Sequence, residues 1–106
     1  MCGIAGLFDG HGRGTFERAL LKRMADAIAH RGPDGEGFFL EPGIALAHRR
    51  LAIIDIAAGH QPMFSNDGNV VVVFNGEIYN FVELKAELKA LGYVFQTQSD
   101  TEVILN

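Results

Sequence analysis

Five consecutive apolar residues, Val70-Val71-Val72-Val73-Phe74, constrain the fold more than any other stretch of this chain. Branching at Cβ suits a pleated strand better than a helix. The run also lacks the alternation of a half-exposed strand. It therefore predicts a central strand covered on both faces, and hence a layered protein with a sheet inside it. No other apolar run in the sequence is longer, and this one falls far short of the roughly 18 residues that a membrane span needs.

The rest of the chain supplies layers for that strand. Residues 3–8 read as a short buried strand, closed by the glycine-rich Asp9-Gly10-His11-Gly12-Arg13-Gly14. That stretch does not match a phosphate-binding GxGxxG and reads as a surface loop. Phe16, Leu20, Met24 and Ile28 then recur every four residues, joined by Leu21 and Ala25, which predicts an amphipathic helix with Thr15 as its N-cap, ended by Gly32-Pro33. The turn-rich Arg31-Gly32-Pro33-Asp34-Gly35-Glu36-Gly37 reads as a helix-to-strand connection. Residues 38–40 and 44–48 predict a hairpin across Glu41-Pro42-Gly43, so the pairing should be antiparallel. After the apolar run, Asn80 and Glu83 have the spacing of a capping box opening a helix that Gly92 ends. Residues 93–97 return as a strand, and Ser99 and Glu102 form a second capping box before a last helical turn.

Composition narrows the partners. The 106 residues carry a formal net charge of −4, with 48% hydrophobic and 21% charged residues, as in one soluble domain or a piece of one. An acidic balance without a basic patch argues against nucleic acid and against an anionic membrane surface. One cysteine allows no internal disulfide, and no signal-type leader precedes it, so a cytoplasmic setting is expected. His11, His30, His48 and His60 share no ligand spacing with each other or with a second cysteine, so no metal site is expected.

Three places carry chemistry. Cys2 would become the first residue if Met1 were removed. Its thiol would then stand beside its own α-amine, a base with a pKa of about 8. Alternatively, it is a small buried hydrophobe in CGIAGLF. Arg49-Arg50 precede the apolar residues 51–54, so one guanidinium either meets an anion or pairs with a nearby carboxylate while the other is solvated. Asn75-Gly76 follow the central run, where a side-chain amide and a backbone N–H can converge on one point.

Taken in order, MCGIAGLFD, RGPDGEG, HRRLAIID, QPM, NGEIYN and SDTEVIL resemble the N-terminal glutaminase domain of asparagine synthetase B-type enzymes. These are class II glutamine amidotransferases among the N-terminal-nucleophile (Ntn) hydrolases. The sequence is also similar to the asparagine synthetase-like subgroup, in which the acceptor need not be aspartate. The resemblance implies an α+β fold: part of a four-layer αββα sandwich with mainly antiparallel sheets. It also implies that 1–106 is the N-terminal part of a longer domain, expected to be inactive or poorly stable alone.

The family pattern also implies roles. Cys2 would be the nucleophile that forms a thioester with L-glutamine, and the Asn75 side chain and Gly76 N–H would hold the oxyanion. Arg50 would grip the substrate carboxylate, Glu77 and Asp100 its ammonium, and main-chain atoms of Leu51, Ala52, Ile53 and Ile54 would line the pocket. Arg49 would lie on the surface. No cofactor is implied within these residues. ATP and Mg2+ would belong to a C-terminal synthetase domain that consumes the ammonia, and the full-length chain would form a homodimer. Two readings compete with this: a non-catalytic binding or regulatory module, and an Ntn hydrolase acting on a different amide.

Overall fold

The computed structural model describes residues 2–12, 14–51 and 59–106. The core is a three-stranded antiparallel sheet in the order β1-β3-β2, made of β1 (Gly3–Phe8), β2 (Gly35–Glu41) and β3 (Ile44–Arg50). The β2–β3 hairpin is the expected one, two or three residues longer on its outer ends. In the register, Ala5 faces Ala47 and Leu7 faces Ala45 across one pair, while Phe38 faces Ala47 and Leu40 faces Ala45 across the other. Period-two alternation puts these side chains on one face, and helix α1 (Arg18–Ala27) covers them.

Leu21 and Ala25, one helical turn apart, are fully buried there with Ala45 and Ala47. The alanines let the helix approach the sheet closely, and Phe16 packs in at the edge. The buried line of α1 therefore runs through Leu21 and Ala25, while Leu20, expected in the stripe, is 36% exposed. Thr15 is not the cap. The helix begins after Glu17, without a side-chain cap, because the preceding chain is tied to the hairpin turn, Gly43 N–H donating to the Gly14 carbonyl at 2.8 Å. The 9–14 loop is closed by the Asp9 carboxylate, which accepts from the His11 and Gly14 amides at 3.0 Å each, so its glycines serve a turn.

The opposite face of this sheet carries Leu46, His48 and Arg50 and meets a second layer, the two-stranded antiparallel sheet of β4 (Met63–Phe64) and β5 (Val71–Val72). Phe39 stands edge-on to Phe64, with ring centroids 5.7 Å apart. The layers come closest at Gly37, where a Cβ would lie 1.8 Å from the Gln61 carbonyl oxygen, beside the cis Gln61–Pro62 bond. Only glycine fits that contact.

Helices α2 (Phe81–Ala90) and α3 (Glu102–Leu105) pack on each other. Gly92, at φ +99°, ends α2 in a Schellman motif: Tyr93 N–H donates to the Leu88 carbonyl and Gly92 N–H to that of Lys89, both at 3.0 Å. The α+β class and the antiparallel sheets are as expected, and the described residues form part of the sandwich.

Four further expectations are corrected. Among the described residues the 70–74 run is not a central strand: β5 is two residues long and pairs there with β4 alone, and Val70 is 53% exposed. The ends of the run are tied elsewhere, Val70 to Ser65 and Phe74 to the side chains of Gln61 and His48. Residues 93–97 form no strand, because side chains use their backbone groups. The Glu102 carboxylate accepts the amides of Gln96 and Thr97 at 2.7 Å each, and Lys85 Nζ donates to the Thr97 carbonyl at 2.8 Å. The same bonds explain the missing second capping box, since Glu102 reaches back past Ser99. Asn80 precedes α2 without a side-chain cap bond, so the first box is also unformed.

Candidate active site

A cavity of about 50 Å³ opens between the two layers, lined by residues far apart in sequence: Cys2, His48, Arg50, Leu51, Gly59, Gln61, Phe74, Gly76, Glu77, Ser99, Asp100 and Thr101. Cys2 enters from the start of β1, next to the end of β3, because antiparallel pairing sets Gly3 opposite Arg49. The thiol is held by the backbone of one residue: Leu51 N–H donates to Sγ at 3.3 Å, and Sγ lies 3.5 Å from the Leu51 carbonyl. Arg31 Nε donates to the Cys2 carbonyl at 3.1 Å, which gives the arginine of RGPDGEG a structural task.

Arg50 ends β3 on the cavity side, 6% exposed, with Nη1 3.5 Å from His60 Nδ1. Arg49 alternates to the other side, where it bonds the Glu36 carboxylate at 2.7 Å and the Gly32 carbonyl at 3.1 Å, its side chain 14% exposed. The two arginines thus divide as period two requires, but Arg49 is a staple between β3 and the 31–37 loop and not the solvated surface residue expected.

Gly76 and Glu77 form one wall. Asp100 forms another, 6% exposed, its Oδ2 accepting the Ile78 amide at 2.8 Å. That bond joins the 99–102 segment to the 75–78 turn, so two candidate binding residues, Glu77 and Asp100, are fixed relative to each other. Nested hydroxyl turns present Asp100: Thr97 Oγ1 accepts from Ser99 N–H at 3.1 Å, and Ser99 Oγ from Thr101 N–H at 3.2 Å. The lining therefore carries one guanidinium and two carboxylates around a thiol.

Of the expected site residues, the cavity brings together Cys2, Arg50, Leu51, Gly76, Glu77 and Asp100. Asn75 is half-buried beside Gly76 and is not among the lining residues. Ala52, Ile53 and Ile54 lie outside the described residues.

The motifs gave no role to His48 or Gln61. His48 is 1% exposed, with Nε2 3.1 Å from the Phe74 carbonyl, and Gln61 Oε1 accepts the Phe74 amide at 2.6 Å. Burial holds the His48 imidazole below its ordinary pKa. The nearby Arg50 charge acts in the same direction, and the Phe74 carbonyl opposes them. A usable signal existed for His48, which stands two residues before Arg50 on a strand and so shares its face. Gln61 has no comparable local signal. Among the described residues, no group of three or more histidine, cysteine or acidic side chains could hold a metal ion, and no helix is long and apolar enough to cross a membrane.

A thiol near the chain start, a guanidinium and two carboxylates in one cleft agree with comparisons to known proteins. A family model described as a glutamine amidotransferase domain matches residues 1–106. The chain belongs to that family. The domain is 46% identical over 107 residues to asparagine synthetase [glutamine-hydrolyzing] 1 of Bacillus subtilis, covering 99% of this chain and 17% of the relative. It is 47% identical over 109 residues to the asparagine synthetase [glutamine-hydrolyzing] of Zea mays, covering 98% and 17%. Asparagine synthetase B [glutamine-hydrolyzing] of Escherichia coli is 42% identical over 105 residues, covering 99% and 19%. The amidotransferase domain thus spans less than a fifth of these relatives' length.

Proposed function

We propose that this domain hydrolyses L-glutamine to glutamate and ammonia through a thioester on Cys2, once Met1 has been removed. The observation that carries the reading is the convergence of Cys2, Arg50, Gly76, Glu77 and Asp100 on one cleft. A free amino acid carries an anion and a cation at one end and a neutral amide at the other. The cleft offers a bidentate cation for the first, carboxylates for the second and a thiol for the third.

The Cys2 sulfur adds to the side-chain carboxamide carbon, its proton passing by way of the freed α-amine to the departing nitrogen. The C–N bond breaks, ammonia leaves, and a γ-glutamyl thioester remains. Water then adds to the thioester and returns the thiol and glutamate. The Gly76 N–H and the Asn75 side chain stabilise the oxyanion in both steps. Losing one such donor typically costs about 10²- to 10³-fold in rate.

The ammonia would serve a C-terminal ATP-dependent synthetase domain, where ATP and Mg2+ would bind and asparagine or a related amide would form. The names of the relatives support that setting. In full-length protein lacking Met1, glutamate release from glutamine should be abolished by Cys2→Ala. Arg50→Lys should raise KM about tenfold or more, since a point charge replaces the two-pronged contact. An unchanged rate in Cys2→Ala would exclude the nucleophile. An unchanged KM in Arg50→Lys would exclude the carboxylate clamp.

A further inference from the structure

Both backbone polar groups of Phe74 are held by side chains. Gln61 Oε1 accepts its N–H at 2.6 Å, and His48 Nε2 lies 3.1 Å from its carbonyl oxygen. A carbonyl only accepts, so the proton of the neutral ring is on Nε2. Nδ1 is then a buried acceptor, and it has no hydrogen-bond partner among the described residues. That uncompensated atom is costly in a packed wall, which asks what the histidine gives in return.

Its connections supply an answer. His48 and Arg50 share one face of β3, two residues apart. Phe74 immediately precedes Asn75-Gly76. Gln61 Nε2 also donates to Thr101 Oγ1 at 3.3 Å, next to Asp100. A single clamp therefore links the strand bearing Arg50, the turn bearing Gly76 and Glu77, and the segment bearing Asp100. The two side chains make the bonds to Phe74 that a neighbouring strand would otherwise make.

We infer that His48 and Gln61 are positioning residues that fix the Gly76 oxyanion donor relative to the Arg50 carboxylate site, so that both ends of one substrate are held at once. This rests on the glutaminase reading above. With the clamp loosened, substrate still reaches Arg50, Glu77 and Asp100, but its carboxamide meets a misplaced donor. A misplacement on the order of 1 Å costs about 10²-fold.

The test uses full-length protein lacking Met1. His48→Leu should lower kcat for glutamate release by roughly tenfold or more, with KM changed less than about threefold. His48→Gln, whose amide N–H can replace Nε2–H, should recover most of that loss. Hydrogen exchange at the amides of residues 74–77 should accelerate in His48→Leu and return toward wild type in His48→Gln. Wild-type kcat in His48→Leu, a loss confined to KM, or equal losses in both variants would overturn the proposal. If His48→Leu does not fold, Gln61→Met reads the same clamp from its other arm, with Gln61→Glu keeping the acceptor and giving the rescue. Glutamate release by the unaltered protein tests the glutaminase reading separately. The exchange measurement needs no turnover, so the clamp stands or falls even if that reading fails.

Discussion

Replacing Gly37 with alanine attacks the contact on which the cleft depends. The added Cβ would lie 1.8 Å from the Gln61 carbonyl oxygen and 2.8 Å from its carbonyl carbon and from Pro62 Cδ. Ordinary contact would require the layers to part by about 1.6 Å, and no flexible side-chain tip is present to absorb that. The movement would carry Gln61 out of reach of the Phe74 amide, now 2.6 Å away, and of Thr101 Oγ1, now 3.3 Å away. Overpacking costs about 1–3 kcal/mol and a stranded buried donor about 1–3 kcal/mol more. A loss of roughly 2–6 kcal/mol follows, or about a 30- to 25,000-fold increase in opening of this region. Native-state hydrogen exchange of the β2 and β3 amides in the full-length protein reads that opening directly. Gly6→Ala is a control on the same sheet, because its Cβ would meet only Ala45 O and Leu46 Cδ2, both at 3.3 Å. If Gly37→Ala changes β3 protection no more than Gly6→Ala does, the inter-layer contact does not hold the cleft together.

Two further perturbations test the surroundings of the site. Glu102→Gln should destabilise the 95–102 segment by about 2–4 kcal/mol. The buried carboxylate accepts from Gln96 N–H, Thr97 N–H and Thr97 Oγ1 at 2.6–2.7 Å, and charge-assisted bonds contribute about 1.5–3 kcal/mol each. Faster exchange at the Gln96 and Thr97 amides is the readout, and unchanged protection there would contradict it. Acidification should weaken the domain through His48. Its folded-state pKa lies below the ordinary 6.5, so below about pH 6.5 the unfolded chain binds the extra proton first and stability falls with pH, until the folded ring itself titrates. Unfolding measured across that range should show the slope in wild type and a flatter one in His48→Gln, and identical slopes would remove His48 as its source.

Local periodicity carried much of this structure into the sequence. Strand 3–8, residues 44–48 of β3 and the helix ended by Gly92 were legible, because apolar runs and turn chemistry are properties of the chain itself, although β1 is not buried throughout as expected: Ile4 is 50% and Phe8 77% exposed. The 70–74 run misled for the complementary reason. Its apolar character records what the residues tolerate, but Phe74 spends its backbone groups on His48 and Gln61, which lie 26 and 13 residues away. Residues 93–97 misled in the same way, since their strand-like pattern yields to buried Lys85 and Glu102. In the site, the Arg49-Arg50 pair entering an apolar run was recognisable as a place for chemistry, but the choice of Arg50, like Asp100, came only through the family pattern. The part played by Gln61 depends on inter-layer proximity, which no short stretch of sequence records.

The central claim concerns the residue at the chain start. Full-length protein without Met1, mixed with glutamine and acid-quenched within one turnover, should yield an N-terminal peptide heavier by one γ-glutamyl group on the Cys2 sulfur. The adduct should be absent in Cys2→Ala and should disappear as glutamate is released. Steady glutamate release with no adduct at Cys2, or with the acyl group on another residue, would contradict the thioester mechanism.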